Sequence, residues 1–213
     1  MDENDADIIN EIISGKTHKF SILLSRYNQR LYRVVKTIIK NETEVEDVMQ
    51  EAYISCFNNL KNFKHNSKFS TWLTRIAVNC ALQNVRQKNT LMKKISDYAA
   101  RRPISIFTSS LTNNNPEYQL ITLENKGQIE QIIDDLPQIY KQVFILSVIE
   151  KMTSEEIASI LDIDPGNVRM RLTRSKAMLK KRISENASFD LLYTIGGERC
   201  SMITQKVLSK LLN

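Results

Sequence analysis

Glycine and proline are scarce in this sequence, with five and four residues respectively among 213. Turn-rich all-β folds and most enzymes with glycine-rich nucleotide loops need more of both, so the composition argues against these classes. We find no P-loop, no dinucleotide-binding glycine motif and no supported Ser/His/acid arrangement. The sequence therefore predicts a protein that is not an enzyme, with no catalytic residues and no cofactor.

Histidine, cysteine and long apolar runs are also limited. His18 and His65 have no Cys or His at ligand spacing beside them, which argues against a metal site. The cysteines Cys56, Cys80 and Cys200 lie far apart in the sequence, and reduced thiols suit a cytoplasmic chain. The chain starts with acidic residues, the opposite of a signal peptide. No apolar stretch of about 18 residues occurs, so no membrane insertion is expected.

The feature that the sequence has in abundance is the helical period. Apolar residues recur at α-helical spacing through most of the chain, and the alternation typical of a strand is nearly absent. We predict an all-α fold of two small helical domains joined by a flexible linker, the second domain being a helix-turn-helix. The predicted parts are a first domain at 1–90, a polar linker at 91–128, a second domain at 129–185 and a C-terminal extension at 186–213. The extension ends in an amphipathic helix, predicted from about Glu198 to Leu212.

One helix of the first domain carries a candidate docking face. Thr43 and Glu46 form a capping box that predicts a helix start near Glu44. Over residues 44–60, apolar residues form one face, and Asp47, Gln50, Glu51 and Ile54 fall on the opposite one. A solvated surface is the ordinary interpretation of such a face. However, carboxylates that flank an exposed Ile54 also suit a basic, partly apolar partner helix.

A basic loop leads into the next helix of the first domain, predicted from about Ser70 to Gln87. The loop reads Phe-Lys-His-Asn-Ser-Lys-Phe-Ser-Thr over residues 63–71. Cations can follow phosphates, and aromatic or amide side chains can receive an unstacked base, although many surface loops contain Lys and Phe. Phe69 and Trp72 lie on the inward face of the helix, where they suit the core. The candidate set for a single-stranded nucleic acid is Lys64, Asn66, Lys68, Phe69, Thr71, Trp72, Arg75, Asn79 and Arg86.

The second domain contains a helix-turn-helix pattern. Thr153 and Glu156 form a capping box before a short helix, and Asp164-Pro165 starts a longer one. The whole chain has 30 Lys and Arg residues and 24 Asp and Glu residues, so its excess of positive charge is modest. Residues 165–182, however, contain seven basic residues and no acidic one. In the major groove, Arg can hold guanine through two bonds, while later cations contact the backbone. The candidates for this surface are Asn167, Arg169, Arg171, Arg174 and Lys176.

Three strings carry a family resemblance. Glu-Val-Glu-Asp-Val-Met-Gln-Glu-Ala-Tyr at 44–53 and Phe-Ser-Thr-Trp-Leu-Thr-Arg-Ile-Ala-Val-Asn at 69–79 resemble the promoter-melting region of bacterial RNA polymerase sigma factors. The type most similar is the two-domain extracytoplasmic function (ECF) subfamily. The segment from Leu136 through the basic helix resembles the sigma domain that reads the upstream promoter element. The resemblance covers about residues 20–183, in the order of the family.

The resemblance implies a sigma factor that binds core RNA polymerase and directs promoter-specific initiation, including promoter melting. Asp47, Gln50 and Glu51, together with Ile54, would face the clamp helices of the largest polymerase subunit. The loop set would hold the non-template strand of the downstream element, and the basic helix would read the upstream element. An anti-sigma factor is an additional possible partner. A stand-alone helix-turn-helix regulator and a polymerase-binding scaffold that does not touch DNA remain alternatives.

Overall fold

The computed structural model describes residues 4–100, 129–180 and 197–212, and all regular structure in these ranges is helical. The predicted all-α class is confirmed. Short 3₁₀ turns occur at Thr17–Lys19 and Leu60–Asn62, and a π-helical turn occurs at Ile145–Ile149. The α-helices are α1 (Asp5–Ile13), α2 (Phe20–Lys36), α3 (Glu42–Asn58), α4 (Phe69–Ala100), α5 (129–134), α6 (Gln138–Phe144), α7 (Ser154–Leu161), α8 (Pro165–Lys180) and α9 (Gly197–Leu212).

The first domain is built around α2, α3 and α4. Each helix turns an apolar stripe inward, represented by Leu31 of α2, Val48 of α3 and Leu73 of α4, all essentially inaccessible to solvent. Each such side chain contributes about 1.5–3 kcal/mol when fully buried. The ring of Phe20 packs edge-on against Tyr53, with centroids 6.3 Å apart, and this contact ties α2 to α3. Helix α3 therefore has one face fixed in the core, which sets the direction of its other face.

The start of α3 differs from the sequence prediction. The helix begins at Glu42, two residues before the predicted start, and its cap is Asn41 rather than Thr43. The Asn41 Oδ1 atom accepts a hydrogen bond of 3.2 Å from the Glu44 backbone N–H. Asn is the better N-cap residue of the two, so it determines where the helix starts.

Helix α4 is longer than predicted, since it continues to Ala100 instead of ending near Gln87. The added residues contain neither Gly nor Pro and include the good helix formers Leu, Met, Lys and Ala. The helix thus passes position 91, where the predicted linker starts. Residues 101–128 of that linker lie outside the described part of the chain, as do residues 181–196.

The helix-turn-helix forms as the capping signals predict. Glu156 N–H donates to the Thr153 hydroxyl at 3.2 Å, and the Glu156 carboxylate accepts from the Thr153 N–H at 2.9 Å, so the capping box is complete. Helix α7 ends at Asp162, whose left-handed backbone (φ 54°) turns the chain. The Asp164 carboxylate then accepts from the Gly166 N–H at 2.6 Å and starts α8. A side chain at Gly166 would meet this carboxylate, since a Cβ would lie 2.7 Å from it.

The two domains pack against each other through an apolar cluster. Val34 and Val78 of the first domain share this cluster with Val143, Leu146 and Ile157 of the second. At the edge of this interface, the nearly inaccessible Glu150 carboxylate accepts from Arg30 and Arg33 at 2.8 and 3.2 Å. Helix α9 returns to the first domain and packs on α2 and α3. Within the described ranges, no helix combines the length and apolarity needed to cross a membrane.

Candidate functional site

The predicted docking face on α3 is only partly open. Asp47 and Glu51 are exposed and Ile54 is half-buried, so these three side chains share an accessible strip. Gln50 departs from the prediction, because its residue is only 5% exposed and its Nε2 has no hydrogen-bond partner among the residues that the structure describes. Helix periodicity alone could not predict the burial of Gln50, because this residue lies at the border of the polar face. Helix α9 packs on that side of α3.

The open strip lies on a strongly acidic helix. Helix α3 carries five carboxylates and no basic residue over Glu42–Asn58. Glu51 lies near the thiol of Cys80 on α4. Burial raises the pKa of Cys80 to about 11, and the charge of Glu51 adds to this. This places a negative potential on the border between α3 and α4, which suits a cationic partner.

The basic loop is supported from below by aromatic rings. Phe63 lies 5.1 Å from Trp72 and 5.7 Å from Phe69, measured between ring centroids. Phe69 is buried and Trp72 is half-buried, so these rings support the loop more than they offer open stacking platforms. His65 adopts a left-handed backbone (φ 55°) that the sequence did not suggest, and its ring lies 4.6 Å from that of Phe63. Lys64, by contrast, is exposed to solvent.

Three predicted residues of α4 form an exposed line leading away from the loop. Arg75, Asn79 and Arg86 follow one another at helical spacing and are all exposed. Gln83 is exposed at the same spacing between Asn79 and Arg86, and sequence reasoning missed it. The signal was available, because Gln83 is four residues after Asn79. A polar amide there extends the line as a further hydrogen-bonding group.

The base of the loop contacts the second domain. The Glu156 carboxylate lies 3.1 Å from the Lys68 ammonium and accepts from the Thr71 hydroxyl at 3.3 Å. Burial alone would raise the pKa of Glu156, but hydrogen bonds from the Thr153 N–H, Lys68 and Thr71 lower it below its usual range. Thr71 is consequently buried, whereas Asn66 stays exposed. In this arrangement a carboxylate occupies the position where a phosphate could bind the same donors.

The candidate residues on α8 lie together on a largely open surface. Val168 and Leu179 are buried and anchor the helix, which turns the basic side chains outward. Arg171 is half-buried, and Arg174 is within 3.5 Å of the Tyr140 hydroxyl. The other four candidates are exposed: Asn167, Arg169, Arg174 and Lys176. In the described part of the chain, no group of three His, Cys, Asp or Glu side chains is placed to hold a metal ion.

Two family models match the chain in the order of its domains. Sigma-70 region 2 matches residues 23–90, and Sigma-70 region 4 matches residues 126–179. The chain is also 30% identical over 178 residues to the ECF RNA polymerase sigma factor SigW of Bacillus subtilis, covering 83% of this chain and 95% of that protein. The chain belongs to the ECF family of RNA polymerase sigma factors. The predicted resemblance is therefore confirmed, and this sigma factor serves promoter-specific transcription initiation by RNA polymerase rather than enzymatic chemistry.

Three further proteins are similar to this sigma factor. The RNA polymerase sigma-H factor of Pseudomonas aeruginosa is 27% identical over 192 residues, with 85% of this chain and 94% of that protein covered. Among solved structures, RpoE of Bartonella quintana in complex with the anti-sigma factor NepR aligns with a TM-score of 0.57 at 16% identity, covering 78% of this chain and 95% of that one. CnrH in complex with the cytosolic domain of CnrY aligns with a TM-score of 0.56 at 20% identity, covering 86% and 99%. These two likenesses concern the fold.

Proposed function

We propose that Asp47, Glu51 and Ile54 form the surface through which this sigma factor binds core RNA polymerase. The observation that carries the proposal is an acidic, accessible strip with one partly exposed Ile on a helix whose other side is fixed in the core. Such a strip fits a basic partner helix with an apolar contact. Gln50 joins this surface only after its burial is relieved.

The exposed line on α4 and the loop before it form the proposed site for the melted downstream element. Lys64, Asn66 and Lys68 supply cations and an amide at one end, and Arg75 and Asn79 continue along the helix. Flipping a base from the duplex costs a few kcal/mol. Contacts to the displaced strand can offset this cost, so the protein can favour open DNA without hydrolysing ATP.

Helix α8 is the proposed reader of the upstream element. Its first two turns present Asn167, Arg169 and Arg171, where a recognition helix contacts base edges. Arg174 and Lys176 follow one turn later and suit phosphates. Glu155, 3.8 Å from Arg169, is an exposed partner that DNA can displace.

Two further parts of the proposal concern the setting in which this sigma factor acts. We place it in the cytoplasm, because its polymerase partner works there. An anti-sigma factor is a proposed regulator, since one solved neighbour is RpoE of Bartonella quintana in complex with the anti-sigma factor NepR, and another is CnrH in complex with the cytosolic domain of CnrY.

Charge reversal on α3 tests the docking assignment. The double variant Asp47→Lys, Glu51→Lys should weaken binding to core polymerase by about tenfold or more, because like charges would face each other across the interface. Asp7→Lys, a reversal at an exposed position of α1, is the matched control. Affinity is measured by fluorescence anisotropy with labelled protein, alongside promoter-specific transcription. Equal affinity for the double variant and the control would remove the docking assignment. Tight, specific binding to duplex DNA without polymerase would favour the stand-alone regulator instead.

A further inference from the structure

Helix α9 fills a groove between α2 and α3 of the first domain. Ile203 and Val207 are 1% and 0% exposed, and Leu211, four residues further, is half-buried against the same core. The opposite face of α9 is open, with Lys206 and Lys210 exposed. Its apolar stripe is therefore satisfied within the chain, by a surface made from the docking helix α3 and its neighbour.

Polar contacts fix the N-terminal end of α9. Arg199 donates from Nε to Glu46 at 2.7 Å and from Nη1 to Glu42 at 3.2 Å, so one guanidinium holds two carboxylates of α3. Across the groove, the Asn28 amide of α2 donates to the Cys200 sulfur at 2.8 Å. Burial would raise the pKa of Glu42, but hydrogen bonds from Lys36 and Tyr32 and the charge of Arg199 lower it. The acidic start of α3 is thus paired with cations from both α2 and α9.

The α9 contact borders the proposed polymerase surface. Glu42, Glu46 and Gln50 succeed one another every four residues on one side of α3, and Glu46 precedes the docking residue Asp47. Gln50 is buried on this flank, and no described residue pairs with its Nε2. A buried amide without a partner is costly, so this arrangement of Gln50 is less stable than one in which the amide finds an acceptor.

The chemistry of α9 matches the partner that α3 is expected to bind. Its groove side combines an apolar stripe at helical spacing with Arg199, which contacts two carboxylates of α3. Helix α3 has five acidic residues and no basic one. An amphipathic basic helix is the kind of ligand that an acidic groove of this type accepts.

We propose that α9 is a built-in competitor of core RNA polymerase for the flank of α3. This inference rests on the proposed docking role of α3. With α9 seated, Glu42, Glu46 and Gln50 are engaged or covered, while the strip at Asp47, Glu51 and Ile54 stays accessible. Polymerase then binds the fraction of molecules in which α9 has left, so its apparent affinity is reduced by that fraction.

Reversing the charge of Arg199 in the full chain tests the competition. Arg199→Glu should release α9 and raise the affinity for core polymerase by about fivefold or more, the usual scale of coupled sites. Lys206→Glu, on the open face of the same helix, is the matched control and should leave affinity unchanged. A synthetic peptide of residues 197–213, added in trans, should return Arg199→Glu to the affinity of the parent chain. Equal or weaker binding by Arg199→Glu, or no effect of the peptide, would overturn the proposal.

A second measurement uses the unaltered protein, so it stands even where the variant fails to fold. Cys200 is half-buried beneath the Asn28 amide, and its alkylation can be followed by peptide mass spectrometry. Adding core polymerase should speed this alkylation, because α9 leaves the groove. An unchanged or slower rate would overturn the competition.

The failure of this inference and that of the proposed function can be told apart. Asp47→Lys and Glu51→Lys are added to the Arg199→Glu chain and to the parent chain. If the two reversals lower the affinity of both chains and Arg199→Glu alone does not raise it, the proposed competition is wrong and the proposed docking surface stands. Charge reversal without effect in either chain removes the docking surface.

Discussion

Glu150 is the residue whose removal should most directly loosen the packing of the two domains. Its side chain is only 5% exposed, and its carboxylate accepts from Arg30 at 2.8 Å and Arg33 at 3.2 Å, both on α2. The Arg30 guanidinium also reaches the Glu150 backbone oxygen at 3.4 Å. Glu150→Gln keeps the shape and one acceptor oxygen but removes the charge that both arginines share.

The expected magnitude follows from this geometry. A hydrogen bond to a charged group contributes about 1.5–3 kcal/mol, and breaking a buried ion pair costs about 3–5 kcal/mol. The side chains of Arg30 and Arg33 are 26% and 14% exposed, so water partly replaces the hydrogen bonds that they lose. We therefore expect the closed packing to lose about 2–3 kcal/mol. That corresponds to a shift of roughly 30- to 150-fold toward separated domains.

Small-angle X-ray scattering of the free protein should show the separation as an increased radius of gyration, and urea unfolding followed by circular dichroism should report the lost stability. Glu155→Gln is the matched control, since Glu155 is 69% exposed and lies 3.8 Å from Arg169. A surface pair of this kind contributes about 0–1 kcal/mol. Indistinguishable scattering and unfolding curves for the Glu150 and Glu155 variants would refute the reasoning.

Three other outcomes are expected. Arg171→Ala should cost about 1–3 kcal/mol at a single upstream base position in a binding screen of promoter variants; a uniform loss over all sequences would mark Arg171 as a phosphate contact. Thr153→Ala should destabilise the second domain by about 1 kcal/mol in thermal unfolding, because the α7 cap is lost, and an unchanged midpoint would contradict this. The lowered pKa of Glu42 contributes stability that is present above its ordinary value of about 4.5 and is lost as the pH falls through the folded value. Glu42→Gln should therefore flatten the acid limb of the stability profile, and an unaltered limb would show that Glu42 is not responsible.

The caps that start α7 and α8 could be predicted from the sequence, because a capping interaction involves residues only a few positions apart. The capping box at Thr153 and the Asp164 cap follow from short-range backbone chemistry, and both are present. The start of α3 was predicted too late because two residues could cap it, and Asn41 is the stronger one. The end of α4 was predicted too early because the polar residues Lys88, Asn89 and Thr90 resemble the start of a loop, although the Leu, Met, Lys and Ala residues that follow favour a helix.

Long-range contacts explain what the sequence could not indicate about the site. The accessible part of the docking face was predictable from helical spacing, but the burial of Gln50 depends on packing from outside α3. The engagement of Lys68 and Thr71 by Glu156 joins residues more than 80 positions apart. No local pattern encodes such a contact, since it arises from the closure of one domain on the other.

Glu156 has a consequence for how this sigma factor can evolve. One carboxylate closes the cap of α7 through Thr153 and also holds Lys68 and Thr71 of the first domain. A substitution that removes this carboxylate to release the loop would also remove the capping box and fray the start of α7. The packing of the two domains can therefore be altered by substitution of Glu150 without loss of this cap. A substitution of Glu156 changes the cap and the contacts between the domains together.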